Sequence, residues 1–231
     1  MAGFGDELLI LRGPTGVTDQ SSAGNNGTYN GGMGIVADTD AGGVSAFLTD
    51  GTDDYIGMGS VLVPATGNFT IGYWMYEVAR SGFSTHFSQY GSDTGRSQIG
   101  SRNGTPELAS GAFSSITGTS VALATWVFIC LTRTGSTLEL YQNGASQGTR
   151  TYAGTFGTTV QTAIGAGIRQ PAGSDQFFSN ARIDDVRILS RAISTTEISA
   201  WNTGQRGYDA STGAPAQNAQ NNNLRNIRMS P

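Results

Sequence analysis

The side chains best suited to chemistry are thinly spread along this sequence. The five glutamates are Glu7, Glu77, Glu107, Glu139 and Glu197, and the closest two, Glu77 and Glu107, are 30 positions apart. Retaining glycoside hydrolysis needs two carboxyl groups about 5 Å apart, and glutamates so scattered set up no such pair. The two Asp-Asp doublets are Asp53-Asp54 and Asp184-Asp185. Successive strand residues point to opposite faces, so each doublet is expected to present one carboxylate per side and not an acid/base pair. His86 is the sole histidine, in Phe83-Ser-Thr-His-Phe. With no strand-to-helix serine elbow to partner it, it is expected to be a surface or half-buried structural histidine. One histidine and one cysteine, far apart, cannot supply the nitrogen and sulfur ligands zinc prefers. All 13 cations are Arg, so neither a Schiff-base lysine nor a P-loop lysine is available. No catalytic residue is therefore assigned, and the protein is expected not to be an enzyme.

The elements that would carry these residues follow from composition. Charged residues are only 13% and glycines number 34, with Ser, Thr and Asn abundant, which is the composition of an all-β sandwich and not of a helical protein. A length of 231 residues fits one large sandwich. The net charge of -4 and pI near 4.9 argue against nucleic acid as a partner, which needs a clustered basic surface. No apolar run is long enough to span a membrane, so membrane insertion is not expected. The start, Met1-Ala-Gly-Phe-Gly-Asp-Glu, lacks the basic and apolar regions of a secretory signal peptide, and synthesis in a cytoplasm is expected. Cys130 has no partner for a disulfide and, within Trp126-Val-Phe-Ile-Cys-Leu, reads as a buried thiol.

Short apolar or alternating runs bounded by Gly, Asn, Asp, Ser or Pro recur throughout. Glu7 to Leu11, Ser45 to Leu48, Tyr55 to Met58 and Phe69 to Tyr76 are expected strands. In the last, Phe69, Ile71, Tyr73 and Met75 share one face and Thr70, Gly72, Trp74 and Tyr76 the other, so it is a central strand covered on both sides. Thr125 to Thr132, a turn at Gly135-Ser136, Leu138 to Gln142 and the hairpin signal Asn143-Gly144 predict a three-stranded antiparallel meander. Later strands are expected near Thr162 and at Ile183 to Leu189. Ser194 with Glu197 makes a capping box for one helix of about two turns. Trp74, Trp126, Ile129 and Ile188 are expected in the core between two sheets.

The order of these blocks carries a resemblance. Asp19-Gln-Ser-Ser-Ala-Gly-Asn-Asn-Gly-Thr-Tyr, Thr49-Asp-Gly-Thr-Asp-Asp-Tyr-Ile, Phe69-Thr-Ile-Gly-Tyr-Trp, Leu138-Glu-Leu-Tyr-Gln-Asn-Gly and Ile183-Asp-Asp-Val-Arg-Ile-Leu-Ser-Arg-Ala-Ile-Ser resemble, in order, the blocks of LamG-like jelly-roll domains of the concanavalin A-like type. The resemblance implies an all-β, two-sheet antiparallel jelly-roll sandwich with one short C-terminal helix over residues 1–208. It also implies ligands bound at rim loops or on a face. The Glu-x-Asp-x-x-Glu strand of glycosidases on related jelly rolls does not occur here. No cofactor is required, although related folds hold a single structural calcium at the rim. Asp19, Asp53 and Asp184 are its candidate ligands, and turn-forming or capping roles are the competing use of the same residues.

Residues 209–231 are polar and Gln/Asn-rich and cannot bury enough surface to fold alone. Leu224, Ile227 and Met229, interleaved with Arg225 and Arg228, form a candidate docking segment at the end of that tether. Three functions stay open on these residues. The first is a non-enzymatic structural or decoration protein of a bacteriophage virion, with other virion proteins or further copies of itself as partners. The second is a free-standing carbohydrate-binding module for surface glycans, with Tyr29, Tyr90 or Phe177 as stacking rings. The third is a degenerate glycosidase.

Overall fold

The structure is a computed structural model that describes residues 6–38, 44–80, 82–89, 97–110, 114–157, 161–168, 177–204, 208–209 and 214–215. In chain order the strands of the sandwich are β1 (Glu7–Leu11), β2 (Thr28–Asn30), β3 (Gly34–Asp38), β4 (Val44–Leu48), β5 (Tyr55–Gly57), β6 (Phe69–Ala79), β7 (Phe83–Gln89), β8 (Ser97–Arg102), β9 (Thr105–Ser110), β10 (Ile116–Thr117), β11 (Trp126–Thr134), β12 (Thr137–Gln142), β13 (Ala145–Thr151), β14 (Thr162–Ile164) and β15 (Asn180–Leu189), followed by the helix α1 (Thr195–Gly204). The larger sheet runs β13-β12-β11-β6-β15-β4-β3, with β1 added on the other half of β15, and the smaller runs β10-β9-β8-β7-β14-β5-β2. Every pairing is antiparallel. This is the jelly-roll sandwich expected from the sequence. Beyond it, β16 (Tyr208–Asp209) and β17 (Ala214–Pro215) pair with each other.

The order of the larger sheet follows from local signals. β11, β12 and β13 form the expected meander, and its second turn has Asn143 at φ 49° and Gly144 at φ 80°. Those are the two positive values that a tight hairpin twisted like its strands requires. Alternation then sorts the side chains. Phe69, Ile71, Tyr73 and Met75 of β6, with Val127, Ile129 and Leu131 of β11 and Ile183, Val186 and Ile188 of β15, meet Phe87, Ile99, Leu108 and Ile164 of the smaller sheet in one buried cluster. Each such side chain stabilises the fold by about 1.5–3 kcal/mol on burial.

The other face of the larger sheet has its own cover. Trp74, Phe128, Cys130, Tyr141 and Leu189 point outward and are buried by Ile193, Ile198 and Trp201, and Trp126 packs against their edge. Ile129 and Ile188 lie between the sheets as expected, but Trp74 and Trp126 do not. The register pairs Trp126 with Tyr76 and Phe128 with Trp74, so both tryptophans belong to the outward set. Trp126 is only half-buried, and the large loss of stability that a core position implies for its truncation belongs instead to Trp201, which is fully buried. The capping box at the start of α1 is formed. Glu197 N–H donates to Ser194 Oγ at 3.3 Å, and Ser194 N–H donates to Glu197 Oε2 at 2.8 Å.

Gly72 makes room for this second cluster. A Cβ there would sit 2.5 Å from Cη2 of Trp201, a ring with no space to retreat. Gly72→Ala is therefore expected to destabilise the protein by about 1–3 kcal/mol through overpacking, read as a lower denaturant midpoint with an unchanged slope. Gly67→Ala provides a comparison, since nothing lies within 4 Å of its Cβ position and only its φ of 87° opposes the change.

Candidate functional site

The turn that carries the chain from β4 in the larger sheet to β5 in the smaller one is folded back on itself by its own side chains. Thr49 anchors it, with N–H and Oγ1 both donating to Ala181 C=O, at 2.9 and 3.1 Å. Asp50 Oδ1 accepts the Thr52 N–H at 2.7 Å, and Asp54 Oδ2 accepts the Asp50 N–H at 3.0 Å. These bonds, with Gly51 at φ 83°, bring carboxylate oxygens of Asp50, Asp53 and Asp54 within 4.8 Å of one another. Asp54 is 4% exposed. Its Oδ1 meets no hydrogen-bond geometry among the described residues, although the Gly32 amide faces it. Burial, and then the charge of Asp50, raise its pKa above the ordinary carboxylate range. No cation pairs with Asp50, Asp53 or Asp54 among the described residues.

Beside the turn opens a cavity of about 170 Å³ lined by Asp50, Gly51, Ala79, Arg80, Ser84, Phe178 and Asn180. Asn180 Nδ2 donates to Asp50 C=O at 2.9 Å and holds the turn against the wall. Arg80 is already committed on two sides, with Nε 2.6 Å from Glu77 Oε2 and Nη2 2.5 Å from Val121 C=O. Behind Arg80, the sandwich interior turns polar. Glu77, 3% exposed, also accepts the Ser101 hydroxyl and lies 3.8 Å from Nε2 of His86, whose ring stands edge-on to Tyr73 with centroids 6.0 Å apart. A register shift between Thr85 and Phe87 turns His86 inward along with Phe87. It is fully buried, not surface or half-buried as the sequence implied, and burial lowers its pKa to about 3.

An aromatic strip lies close by on the outer face of the larger sheet. Trp126 and Tyr76 have ring centroids 5.5 Å apart, and the Arg182 guanidinium sits 4.9 Å over Tyr76. Tyr76 and Arg182 are on β6 and β15, the strands that supply Ala79 and Asn180 to the cavity wall, and Val78 between them is 44% exposed.

Both Asp-Asp doublets depart from the one-carboxylate-per-face expectation. Asp53 and Asp54 precede β5 and converge in the turn. Asp184 and Asp185 lie at a register shift in β15, with Asp185 at φ 46°, so both face outward. Asp184, opposite Trp74, accepts the Gly13 N–H at 3.0 Å. Burial pushes its pKa up to about 7, partly offset by that amide and reinforced by the Asp185 charge. Burial also pushes Asp185 up, but Arg187 and Arg12 outweigh it and hold this carboxyl below its ordinary range. Both are shut away from solvent, which excludes acid/base work on a bound substrate.

The remaining sequence candidates separate. Asp19 accepts from Ile10 N–H, Ser21 N–H, Ser21 Oγ and Asn25 N–H, the turn-forming use. Of the three proposed calcium ligands, only Asp53 lies in the acidic trio, and Asp50 and Asp54 were missed. Three carboxylates suit a hard cation but fall short of the six to eight oxygens calcium gathers, and no metal role is assigned. Gly144-Ala-Ser-Gln-Gly148 has the spacing of a serine elbow, but it lies in hairpin strand β13, where Ser146 Oγ donates to Glu139 Oε1 at 2.5 Å. Tyr29 packs against the core beside Phe47, and Phe177 stands edge-on to Phe83 at 5.6 Å. Phe178, its neighbour, is the ring that reaches the cavity. Tyr90 and the docking candidates Leu224, Arg225, Ile227, Arg228 and Met229 lie outside the described residues.

A two-sheet antiparallel jelly roll with one short helix packed on its larger sheet is a lectin-like sandwich. The chain belongs to the Concanavalin A-like lectin/glucanases superfamily, whose family model matches residues 50–199. No curated protein sequence matches it. Among solved structures, domain 4 of AbnA, a GH43 extracellular arabinanase from Geobacillus stearothermophilus, in complex with arabinotriose, superposes with a TM-score of 0.66 at 14% identity, covering 86% of this chain and 98% of that one. The binding domain of Paraclostridial Mosquitocidal Protein 1 (TM-score 0.63, 15% identity) covers 85% of this chain and 52% of its own. The receptor binding domain of botulinum neurotoxin C/D mosaic serotype (TM-score 0.62, 16% identity) covers 85% and 51%. The chain thus spans about half the length of these toxin domains. At such identities the likeness is one of fold.

Asp184 and His86 make opposite contributions to acid stability. The folded chain holds a proton on Asp184 that the unfolded chain releases, so this contribution is present at low pH and lost as pH rises toward 7. The unfolded chain protonates a histidine that the folded chain keeps neutral, so stability linked to His86 rises with pH from about 3 to its ordinary range near 6.5. The two slopes oppose each other between about pH 4 and 6.5. Asp184→Asn, which keeps the acceptor for Gly13, is expected to steepen the rise of melting temperature with pH in that window, and His86→Gln to turn it toward a fall. Parallel curves for the three proteins would contradict the assignment.

Proposed function

We propose that the protein is a non-catalytic glycan-binding module whose ligand sits in the cavity beside the Asp50–Asp54 turn. The observation that carries this reading is the cavity lining, in which Asp50, Arg80, Ser84 and Asn180 stand around one opening together with Phe178. Donors and acceptors converging beside an aromatic ring are what a sugar's hydroxyls and apolar C–H face require. About 170 Å³ is below the roughly 300–1,000 Å³ of drug-sized pockets, so the cavity takes one ring or the end of a chain. The strip of Trp126, Tyr76 and Arg182 offers further stacking surface to a longer ligand. The arabinotriose in complex with the AbnA domain, the binding domain of the mosquitocidal protein and the receptor binding domain of the botulinum neurotoxin support a binding role on this fold.

The finer expectation of a virion structural or decoration protein, with virion proteins or further copies as partners, draws its support from the composition of residues 209–231. On that reading, deleting residues 209–231 leaves the melting temperature of the sandwich unchanged and abolishes incorporation into the particle.

Calorimetric titration with a panel of oligosaccharides tests the glycan reading. Phe178→Ala is expected to weaken binding about tenfold, equivalent to about 1.4 kcal/mol, while Trp126→Ala weakens only ligands of several rings. The same oligosaccharides should be recovered intact after incubation, with no new reducing ends. Binding that survives Phe178→Ala at full strength would move the site elsewhere.

A further inference from the structure

We infer that Arg80 is the residue by which the cavity recognises its ligand. Glu77, the Val121 carbonyl and the Gly104 backbone fix its guanidinium in advance, and Nη1 is left to donate to a hydroxyl of the bound ring. Resting on the glycan reading above, this contact sets which ring hydroxyl the cavity requires.

Arg80 follows the last residue of β6 and lines the cavity. A guanidinium carries five N–H donors in a rigid plane. Nε donates to Glu77 Oε2 at 2.6 Å and Nη2 to Val121 C=O at 2.5 Å, which engages one edge of that plane. The turn between β8 and β9 closes one of its flat faces. A Cβ on Gly104 would fall 2.3 Å from Cζ, 2.5 Å from Nη2 and 2.6 Å from Nη1. With Cζ the nearest atom, the glycine lies over the plane and not at its rim. Gly104 is buried, with φ 88°, and its C=O accepts the Val121 N–H at 2.9 Å, so the two clamping segments hold each other. The other clamp is braced as well. Glu77 is 3% exposed and accepts the Ser101 hydroxyl on its second oxygen, and Ala124 N–H donates to Glu77 C=O at 3.0 Å.

The Arg80 side chain is nonetheless 22% exposed. What remains for a ligand is Nη1, which meets no acceptor among the described residues. Glu77 cancels the Arg80 charge, so this edge donates hydrogen bonds to neutral oxygens instead of collecting anions. A sugar hydroxyl answers it, because it accepts there while its own proton stays free to donate to Asp50 or Asn180 in the same lining. Compensating Glu77 alone would need only the Nε bond. The Val121 bond and the fitted glycine go further and remove freedom that a long side chain would otherwise lose on binding.

The test uses the full chain, the tightest-binding member of the oligosaccharide panel and the monodeoxy analogues of that member. Arg80→Lys keeps the charge but not the fork, and is expected to weaken binding at least about tenfold. One deoxy analogue should lose affinity for the wild type and lose nothing further for Arg80→Lys, the non-additivity of a direct contact. Gly104→Ala should also weaken binding about tenfold. It should speed solvent exchange of the Arg80 Nε–H NMR signal, which in the wild type is protected before ligand is added. Gly67→Ala, with φ 87° and nothing within 4 Å of its Cβ position, carries the same backbone penalty away from Arg80 and should change neither. Full-strength binding by Arg80→Lys or Gly104→Ala, additive losses for every deoxy analogue, an unprotected Nε–H in the free wild type, or equal losses in Gly67→Ala overturns the inference and leaves the glycan reading standing. Failure of every oligosaccharide in the panel overturns the glycan reading, and the inference with it.

Discussion

The Asp185 carboxylate, 1% exposed, gathers donors from its own strand, from the end of β1 and from α1. Arg12 Nε, at the end of β1, reaches Oδ1 at 2.9 Å. Arg187, two residues along β15, donates from Nε and Nη2 at 2.9 Å each, and Trp201 Nε1 in α1 donates at 2.8 Å. Such a group is tolerable inside a protein only with its partners complete. Removing one side of a buried pair costs about 3–5 kcal/mol, because the remaining charge is stranded. The arrangement requires the backbone to bulge so that Asp184 and Asp185 face the same way, and the αL conformation at Asp185 supplies this at some local strain. Asp184 then pins Gly13, whose lack of a side chain lets the turn lie directly on the Ser45 carbonyl. One bulge thus joins the first strand, the last strand and the helix.

That junction decides which part of the outer face stays open. With Trp201 drawn to Asp185 and stacked under Arg187 at 4.9 Å, α1 covers the outer face of the larger sheet from Tyr141 to Leu189. The uncovered part of that face begins at the next cross-strand row, Trp126, Tyr76 and Arg182. The cavity lies just beyond, where β6 and β15 end. On the inner side, the same ends of β6 and β7 carry Glu77 and His86 in place of hydrocarbon. The core is therefore polar where it approaches the cavity and apolar where α1 seals it.

Much of this architecture is legible in the sequence. Alternation in Phe69 to Tyr76, the Asn143-Gly144 turn and the Ser194/Glu197 box each depend on contacts within a few residues, and each holds in the structure. Alternation also placed Trp74 opposite Ile71. What it could not show was that Trp201, more than a hundred positions later, covers that second face. β7, Phe-Ser-Thr-His-Phe-Ser-Gln, is buried throughout, although most of its residues are polar. The polar groups are satisfied from outside the strand, as when Ser88 Oγ donates to Ala166 C=O and Gln89 Nε2 to Val63 and Gly157 C=O. A period of two breaks at a bulge, so neither the inward turn of His86 nor the shared face of Asp184 and Asp185 was readable. The site itself was half visible: Asp53 stood out as half of a doublet, whereas Asp50, Arg80 and Phe178 are brought together only by the β4–β5 turn.

The acidic turn differs from every other buried carboxylate in how it is compensated. Glu77 has Arg80 and Ser101, Glu107 has Arg102 and Ser115, Asp38 has Arg182, and Asp19 is filled by four donors. Even Asp184, which meets its neighbour's charge, takes a backbone amide and shifts its titration. At Asp50, Asp53 and Asp54, like charges are held together without a cation among the described residues, and the buried one, Asp54, is met by the backbone amides of Asp50 and Gly32. Local rules broken without internal compensation concentrate where a protein meets something else. The hydrogen bonds within the turn account for its shape, but Thr52 and Asp50 amides would be served by a single Asp at each position they use. They do not call for Asp53. Asp53 adds to the folded state a repulsion that no cation among the described residues offsets.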